Sequence, residues 1–266
     1  MGWNFILIFL SVALLLSAIG FKKFVYFLSI GYGFSVAGIG VTIAVISLFG
    51  IFNASIAHYI ICVLLAIYGI RLSGFLLIRE FKNASFRKTT VYNETLKETK
   101  MPFFVKFAIW ISVAILYVAQ TSPIYFVLLN ESEASAITWI GIAVMILAII
   151  IESVSDKQKS IQKAKRPDMV ATEGLYKIVR CPNYFGEILF WTGLVISALT
   201  SLSGVGQWIT VILGYICIVY IMFNGAQRLE KRQMERYGDN KEYKEYTDKT
   251  PIIIPLLPIY HLNKTK

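Results

Sequence analysis

The alternation of apolar and polar positions divides the chain into long, nearly charge-free runs joined by short polar connections. Seven runs stand out, at about 3–20, 25–50, 56–79, 103–121, 136–154, 185–202 and 207–226. Each is close to the roughly 20 residues that an α-helix needs to cross a bilayer core. The pattern predicts an all-α, multi-pass transmembrane bundle of about seven helices. Gly31, Gly33, Gly38 and Gly40 crowd the second run, where they allow either a break or the close approach of neighbouring helices. Ser122-Pro123 is expected to end the fourth, leaving residues 123–130 to return into the membrane as a short piece. Six or eight crossings are the alternatives.

Composition supports the class. Apolar residues make up 56% of the chain and charged residues 16%, against roughly 45–50% and about 25% in soluble domains. A soluble chain of 266 residues could not bury that much apolar surface. Residues 1–266 read as a single integral membrane domain with a C-terminal tail over 228–266. Met1-Gly2-Trp3-Asn4 places no basic stretch before the first apolar run, which fits a retained helix rather than a cleaved signal.

Charge then sets the orientation, because Lys and Arg collect in cytoplasmic connections. With the N-terminus outside and the C-terminus cytoplasmic, the inner connections hold Lys22 and Lys23, Arg79 to Lys106, Lys157 to Arg180, and the tail from Arg228. That assigns all 26 Lys and Arg to the inner side except Arg71, while the outer connections near 51–55, 122–135 and 203–206 carry none. The net charge of +10 is explained by this bias and by attraction to anionic head groups of the lipid bilayer. It calls for no nucleic-acid partner. The expected location is a bacterial inner membrane, or the endoplasmic reticulum of a eukaryote. Cys62, Cys181 and Cys217 show no metal-ligand spacing and imply no disulfide.

Ionisable groups inside membrane segments are costly and normally face a cavity or the bundle interior. They are few here: Arg71, Glu152, and Glu187 with Asn183. His58, near the outer end of the third helix, is expected to hydrogen-bond locally. Glu152, Asp156, Lys159 and Lys163 recur at helical intervals and share one face if the fifth helix continues past the membrane. Gln158 and Lys157 lie off that face. The segment Arg180-Cys181-Pro182-Asn183-Tyr184-Phe185-Gly186-Glu187 is chemically denser. Pro182 suits the first turn of a helix, whose free N–H groups favour anions. Asn183 and Glu187 stand four residues apart on one face, an amide and a carboxylate suited to a ligand amide: Glu187 accepts from its NH₂ and Asn183 donates to its carbonyl.

Gly174-Leu175-Tyr176, the Arg180 to Glu187 stretch and Asp156-x-Gln158-Lys159 together resemble the membrane-bound steroid 5α-reductase family, in its DUF1295-like bacterial branch of reductase-like proteins. The likeness covers about 150–258, with Tyr68-x-x-Arg71 and Arg79 fitting it over 65–80. The resemblance implies a seven-helix enzyme that holds NADPH and reduces a carbon–carbon double bond in a lipophilic small molecule. It implies cofactor contacts at Asp156, Lys159, Lys163, Asn183, Tyr184 and Glu187, with Arg180, Arg228, Arg71 and Arg79 toward phosphates or the cofactor. Tyr68 would donate to the substrate carbonyl. The glutamate that partners this tyrosine in the steroid enzymes has no counterpart here, since no acidic residue precedes Glu80. Isoprenylcysteine carboxyl methyltransferases, which use S-adenosylmethionine, show a similar Arg-His-Pro-x-Tyr-x-Gly stretch with Cys181 at the histidine position. A receptor or transporter of seven helices is the non-enzymatic alternative.

Reporter fusions test the orientation. Fusions at residues 53, 90, 132, 165 and 266 are expected to read out, in, out, in and in, and a cytoplasmic signal at 132 would overturn the assignment.

Overall fold

The computed structural model describes residues 3–82 and 102–263. The core of the expected inner connection, residues 83–101, and the last three residues lie outside the described residues, as does the side chain of Arg79. Eight α-helices occur among them: α1 Trp3–Ser17, α2 Ile30–Leu48, α3 Ile56–Lys82, α4 Phe103–Leu129, α5 Ala136–Lys165, α6 Pro182–Ala198, α7 Gly204–Tyr237 and α8 Lys241–Lys249. No strand is present among the described residues. The chain is an all-helical, multi-pass membrane protein. Among the described residues, six helical segments are long and apolar enough to cross a bilayer, those of α1 to α5 and α7. The run expected as the sixth crossing forms α6, whose 17 residues reach about 25 Å at 1.5 Å each. An expected count of seven depends on that shorter helix.

Two punctuation marks resolve differently from their reading as sequence. The second run breaks before its glycines: a 3₁₀ turn, Phe24–Leu28, precedes Ser29, and α2 begins only at Ile30. Pro123, by contrast, does not end the fourth run, and α4 continues to Leu129. The expected re-entrant piece is therefore absent. Proline removes the N–H that would bond the carbonyl four residues back, here that of Ala119. The Ser122 hydroxyl donates to that same oxygen at 2.7 Å, and the Thr121 hydroxyl donates to the Tyr117 carbonyl at 2.8 Å. Side-chain hydroxyls thus restore what the proline takes away, a common arrangement in membrane helices.

The chain forms two compact units, Met1–Ile142 with Val195–Gly214, and Ala143–Leu194 with Tyr215–Lys266. In the first, α2 packs against both α1 and α3 through small residues on two faces. Gly31 and Gly38 meet α1, at the Ser17 backbone and at Val12 and Leu16. Gly33 and Gly40 meet α3, at Gly69 with Ser73 and at Cys62 with Leu65. Residues seven apart share a helix face and residues two apart lie on nearly opposite faces, so the two pairs form opposing stripes. The close approach lets side chains reach foreign backbone: Ser73 donates to the Ile30 carbonyl at 2.8 Å and Ser35 to the Ala13 carbonyl at 3.2 Å. At the far ends of the helices, Asn130 and Gln207 exchange reciprocal amide bonds of 2.8 and 3.0 Å. His58 bonds locally as expected, its Nδ1 accepting from the Ser55 N–H ahead of α3.

In the second unit α5 and α6 touch at Gly186, where an added Cβ would fall 2.5 Å from Glu152 Cγ. Tyr184 of α6 lies against Gly225 of α7. The tail folds back onto these helices: Ile252 and Ile253 are buried with Cys181, Ile188 and Ala226.

The contact between α2 and α3 sets a test. A Cβ on Gly69 would come within 2.1 Å of the Gly33 carbonyl oxygen, whereas one on Gly74 meets nothing within 4 Å. Gly69→Ala is expected to destabilise by about 1–3 kcal/mol, and Gly74→Ala to be neutral or stabilising by up to about 1 kcal/mol. Thermal unfolding in detergent separates them, and equal midpoints for the two variants would refute the packing account.

Candidate functional site in the second unit

The fifth helix runs well beyond its apolar stretch, and its polar face turns inward. Glu152 and Ser155 are buried, while Asp156, Lys159 and Lys163 are half-buried. The face expected from their spacing therefore exists and is not a solvated helix end. Lys163 is committed to the connection that follows, its ammonium donating to the Pro167 and Met169 carbonyls at 2.7 Å each and to the Tyr237 hydroxyl at 3.0 Å. Gln158, read from the sequence as lying off that face, and Gln162, which the sequence did not single out, brace the same connection. Gln162 Oε1 accepts from the N–H groups of Thr172 and Glu173, and Gln158 Oε1 accepts from the Leu175 N–H at 2.9 Å. Gly174 sits against the Gln158 amide with a φ of +67°, a conformation that a side chain at this point would disfavour both locally and by collision.

Beyond that turn Tyr176 is buried, its hydroxyl directed at the Ser155 carbonyl and its own carbonyl accepting from the Tyr246 hydroxyl at 2.7 Å. Burial pushes the Tyr176 hydroxyl well above its ordinary range, and the negative charge of Asp156 adds to the shift. Cys181 is buried too, and burial raises its thiol to about 11 against the opposing pull of Lys159 and Arg180. It is thus protonated near neutrality and unsuited to act as a thiolate nucleophile.

Arg180 stands where the resemblance places a phosphate contact, but the structure turns it toward the tail. Its Nη2 donates to Glu230 Oε1 at 2.8 Å and to the Tyr260 carbonyl, and both partners of the ion pair are almost wholly buried, at 3% and 2% side-chain exposure. Glu230 is saturated. Its Oε2 accepts from the N–H groups of Leu262 and Asn263 and from the Asn263 amide, while Oε1 also meets His261 Nδ1. The N–H groups of Arg180 and Cys181 donate to the Pro251 and Ile252 carbonyls at 2.9 Å, so the tail pins the chain just before α6 on both backbone and side chain. Arg228 lies on the exposed side of α7.

The entry of α6 keeps the geometry expected of it. Pro182 opens the helix, Asn183 is half-buried one turn before the buried Glu187, and Trp191 Nε1 donates to Glu187 Oε1 at 3.3 Å. Because Glu152 lies over Gly186, facing helices bring two buried carboxylates to one region. Tyr184, expected as a cofactor contact, packs among Cys181, Ile252 and neighbouring apolar side chains. In the second unit the structure gathers Glu152, Asp156, Lys159, Asn183 and Glu187 on α5 and the start of α6, with Lys163 and Arg180 committed to holding the chain around them.

The first unit holds the remaining candidates, all on α3. Tyr68 is fully buried and its hydroxyl donates to the Tyr32 hydroxyl at 3.1 Å. Tyr32 of α2 also packs against Tyr117, with ring centroids 5.2 Å apart. A tyrosine of α2 is thus a hydrogen-bond partner of Tyr68. Arg71, one turn on, is half-buried. Arg79 falls in the last turns of α3.

These features define the class of protein first: an integral, multi-pass helical membrane protein with a polar layer built into one of its two units. Within that class the chain belongs to the DUF1295 family, described as "Protein of unknown function (DUF1295)", whose model matches residues 33–250. The match starts inside α2, earlier than the resemblance read from the motifs alone. Comparison with curated proteins and with solved structures gives no match.

The Arg180–Glu230 pair generates the next test. Removing one partner of a buried ion pair leaves the other charge uncompensated, at a cost of about 3–5 kcal/mol. Glu230→Gln is expected to lower stability by that amount and to expose the segment after Lys249 to protease. Glu242→Gln, which breaks the exposed 2.9 Å pair with Arg166, is expected to be near neutral. Comparable losses in the two variants would mean that the buried pair does not organise the tail.

Proposed function

We propose that this protein is a membrane-embedded, NADPH-dependent reductase of a carbon–carbon double bond in a lipophilic, steroid-, sterol- or isoprenoid-like substrate. The observation that carries the proposal is the pairing of an amide and buried carboxylates at the entry of α6. Among the described residues the buried charged side chains are Glu152, Glu187, Arg180 and Glu230. Arg180 and Glu230 match one another, while Glu152 and Glu187 are buried where α5 meets α6. That environment fits the nicotinamide end of the cofactor: Glu187 accepts from the carboxamide NH₂ and Asn183 donates to its carbonyl. When bound, NADPH supplies the hydride. The protein supplies position and field.

For the phosphate end, Arg180 is replaced in this proposal by Lys159, half-buried on the same face of α5 as Asp156. Arg180 fits that end poorly, because Glu230 already holds its guanidinium. Tyr68 is proposed as the group that donates to the substrate's polarising oxygen, exchanging its bond to Tyr32 for one to substrate. The resemblance of Gly174 to Tyr176, Asp156 to Lys159 and Arg180 to Glu187 to the steroid 5α-reductases supports the same chemistry.

Ligand-induced thermal stabilisation of the detergent-solubilised protein is the test. NADPH is expected to stabilise more than NADH, its extra phosphate pairing with a basic side chain. Glu187→Gln is expected to weaken NADPH binding by about 1.5–3 kcal/mol, the worth of a hydrogen bond to a charged group. Trp191→Phe removes the indole donor from Glu187 but should leave most of that affinity, which distinguishes a ligand contact from a structural one. Stabilisation by S-adenosylmethionine alone would replace the reductase reading with a methyltransferase.

A further inference from the structure

The tail ends in a feature that neither the membrane helices nor the proposed reaction explains. Five consecutive apolar residues, Leu256-Leu257-Pro258-Ile259-Tyr260, are exposed, with Leu256 at 98%. Runs of this kind are rare on protein surfaces unless they serve an interaction. Leu256 also has a φ of +67°, a left-handed conformation that a residue with a Cβ normally avoids. Two local preferences are thus broken at one residue, the sort of conflict that marks a functional position.

The loop is rigidly mounted. The Ile252 N–H donates to the Ile259 carbonyl at 2.8 Å, closing its base, and the Ile259 N–H donates to the Leu257 carbonyl at 2.7 Å. Pro251 and Ile252 accept from the backbone of Arg180 and Cys181, and the Tyr260 carbonyl accepts from the Arg180 guanidinium. Its tip, from Pro255 to Pro258, rims a shallow apolar depression together with Ile178 and Tyr260.

The mounting also fixes its level. Ile252 and Ile253 share a buried cluster with Ala226 of α7, and Ile254 packs against that cluster together with Val219, Met222, Phe223 and Leu229 of α7. The apolar run of α7 closes at about residue 226, and its first charge is Arg228. Just above this level Ile216 and Tyr220 are exposed at 55% and 69%, as lipid-facing residues of a membrane helix are. The root of the loop therefore lies at the boundary where α7 leaves the hydrocarbon. Lys177, exposed beside the exposed Ile178, adds a cation at the same margin, and Lys249 stands at the end of α8. Aliphatic side chains beside lysines suit an interface of acyl chains and head-group phosphates.

We propose that the Pro255–Tyr260 loop is a second, monotopic membrane contact, with Leu256 and Leu257 inserted among the acyl chains nearest the head groups. It clamps the C-terminal segment between the bilayer and the Arg180–Glu230 pair. The contact does not depend on the reductase reading.

Spin-label accessibility in the full-length protein, reconstituted into vesicles of phosphatidylcholine and phosphatidylglycerol, decides the matter. Cys217 is first replaced by Ser, since Cys62 and Cys181 are buried. A label at Leu256→Cys should collide several-fold more with lipid-soluble oxygen than with a water-soluble nickel chelate. A label at Lys241→Cys, a site 91% exposed at its side chain, should show the reverse. Leu257→Cys repeats the measurement should the first variant fold poorly. Nickel access at 256 and 257 equal to that at 241 would overturn the proposal. Shielding from both agents, or spin coupling between copies, would overturn it as well and assign the loop to a protein contact.

Discussion

A peptide group in hydrocarbon has no water to bond, and the first unit is shaped by that constraint more than by any side-chain preference. Every donor and acceptor of its helices must find a partner within the protein. Hydroxyl side chains comply by folding back one turn, as Ser17 does onto Ala13, Thr42 onto Gly38 and Ser47 onto Ile43. At Pro123 the same device acts as a repair, because the bond supplied by Ser122 is the one that the proline abolishes. Once each helix is internally satisfied, its neighbours gain little from excluding water. Association then rests on how closely backbones approach, which is why Gly33 and Gly69 meet almost backbone to backbone.

The second unit answers to a different constraint, the cost of buried charge. Glu230 and Arg180 have left water, and the desolvation of such a pair is repaid only when its remaining atoms are also satisfied. The tail meets that requirement. Leu262, Asn263 and His261 bring further partners to Glu230, and Tyr260 gives Arg180 a carbonyl. A segment that reads as a basic cytoplasmic extension is thus a structural strap. The chain entering α6, and with it Asn183 and Glu187, inherits its position from this strap.

What the sequence disclosed and what it hid follow from the range of the interactions. Hydrophobic runs are local, so the helices are legible, and the shared face of Glu152, Asp156, Lys159 and Lys163 follows from spacing, whereas its inward direction does not. The glycines of α2 showed that something close would happen but not what, since a break and a tight contact use the same residues. Their arrangement as 31 with 38 and 33 with 40 held the answer once two flanking helices were supposed. Pro123 reads as a helix end because the direction of the Ser122 hydroxyl is not encoded in its identity. Gln158 lies off the polar face, yet the connection after α5 meets it there, the Leu175 N–H donating to its Oε1. The partners of Arg180 and Tyr68 are beyond the reach of local pattern: they lie 50 residues away at Glu230 and 36 away at Tyr32, and Tyr32 is embedded in an apolar run where an aromatic passes for core.

The polar chemistry at the entry of α6 bears on which cofactor such a site could serve. Asn183 stands one turn before the buried Glu187 on the same helix, so an amide and a carboxyl group are offered together. Such a pair complements a primary carboxamide, whose NH₂ donates and whose carbonyl accepts. A nicotinamide would present that group, whereas S-adenosylmethionine has none. This complementarity, rather than motif likeness alone, is what places the proposed reductase ahead of a methyltransferase built on the same entry to α6.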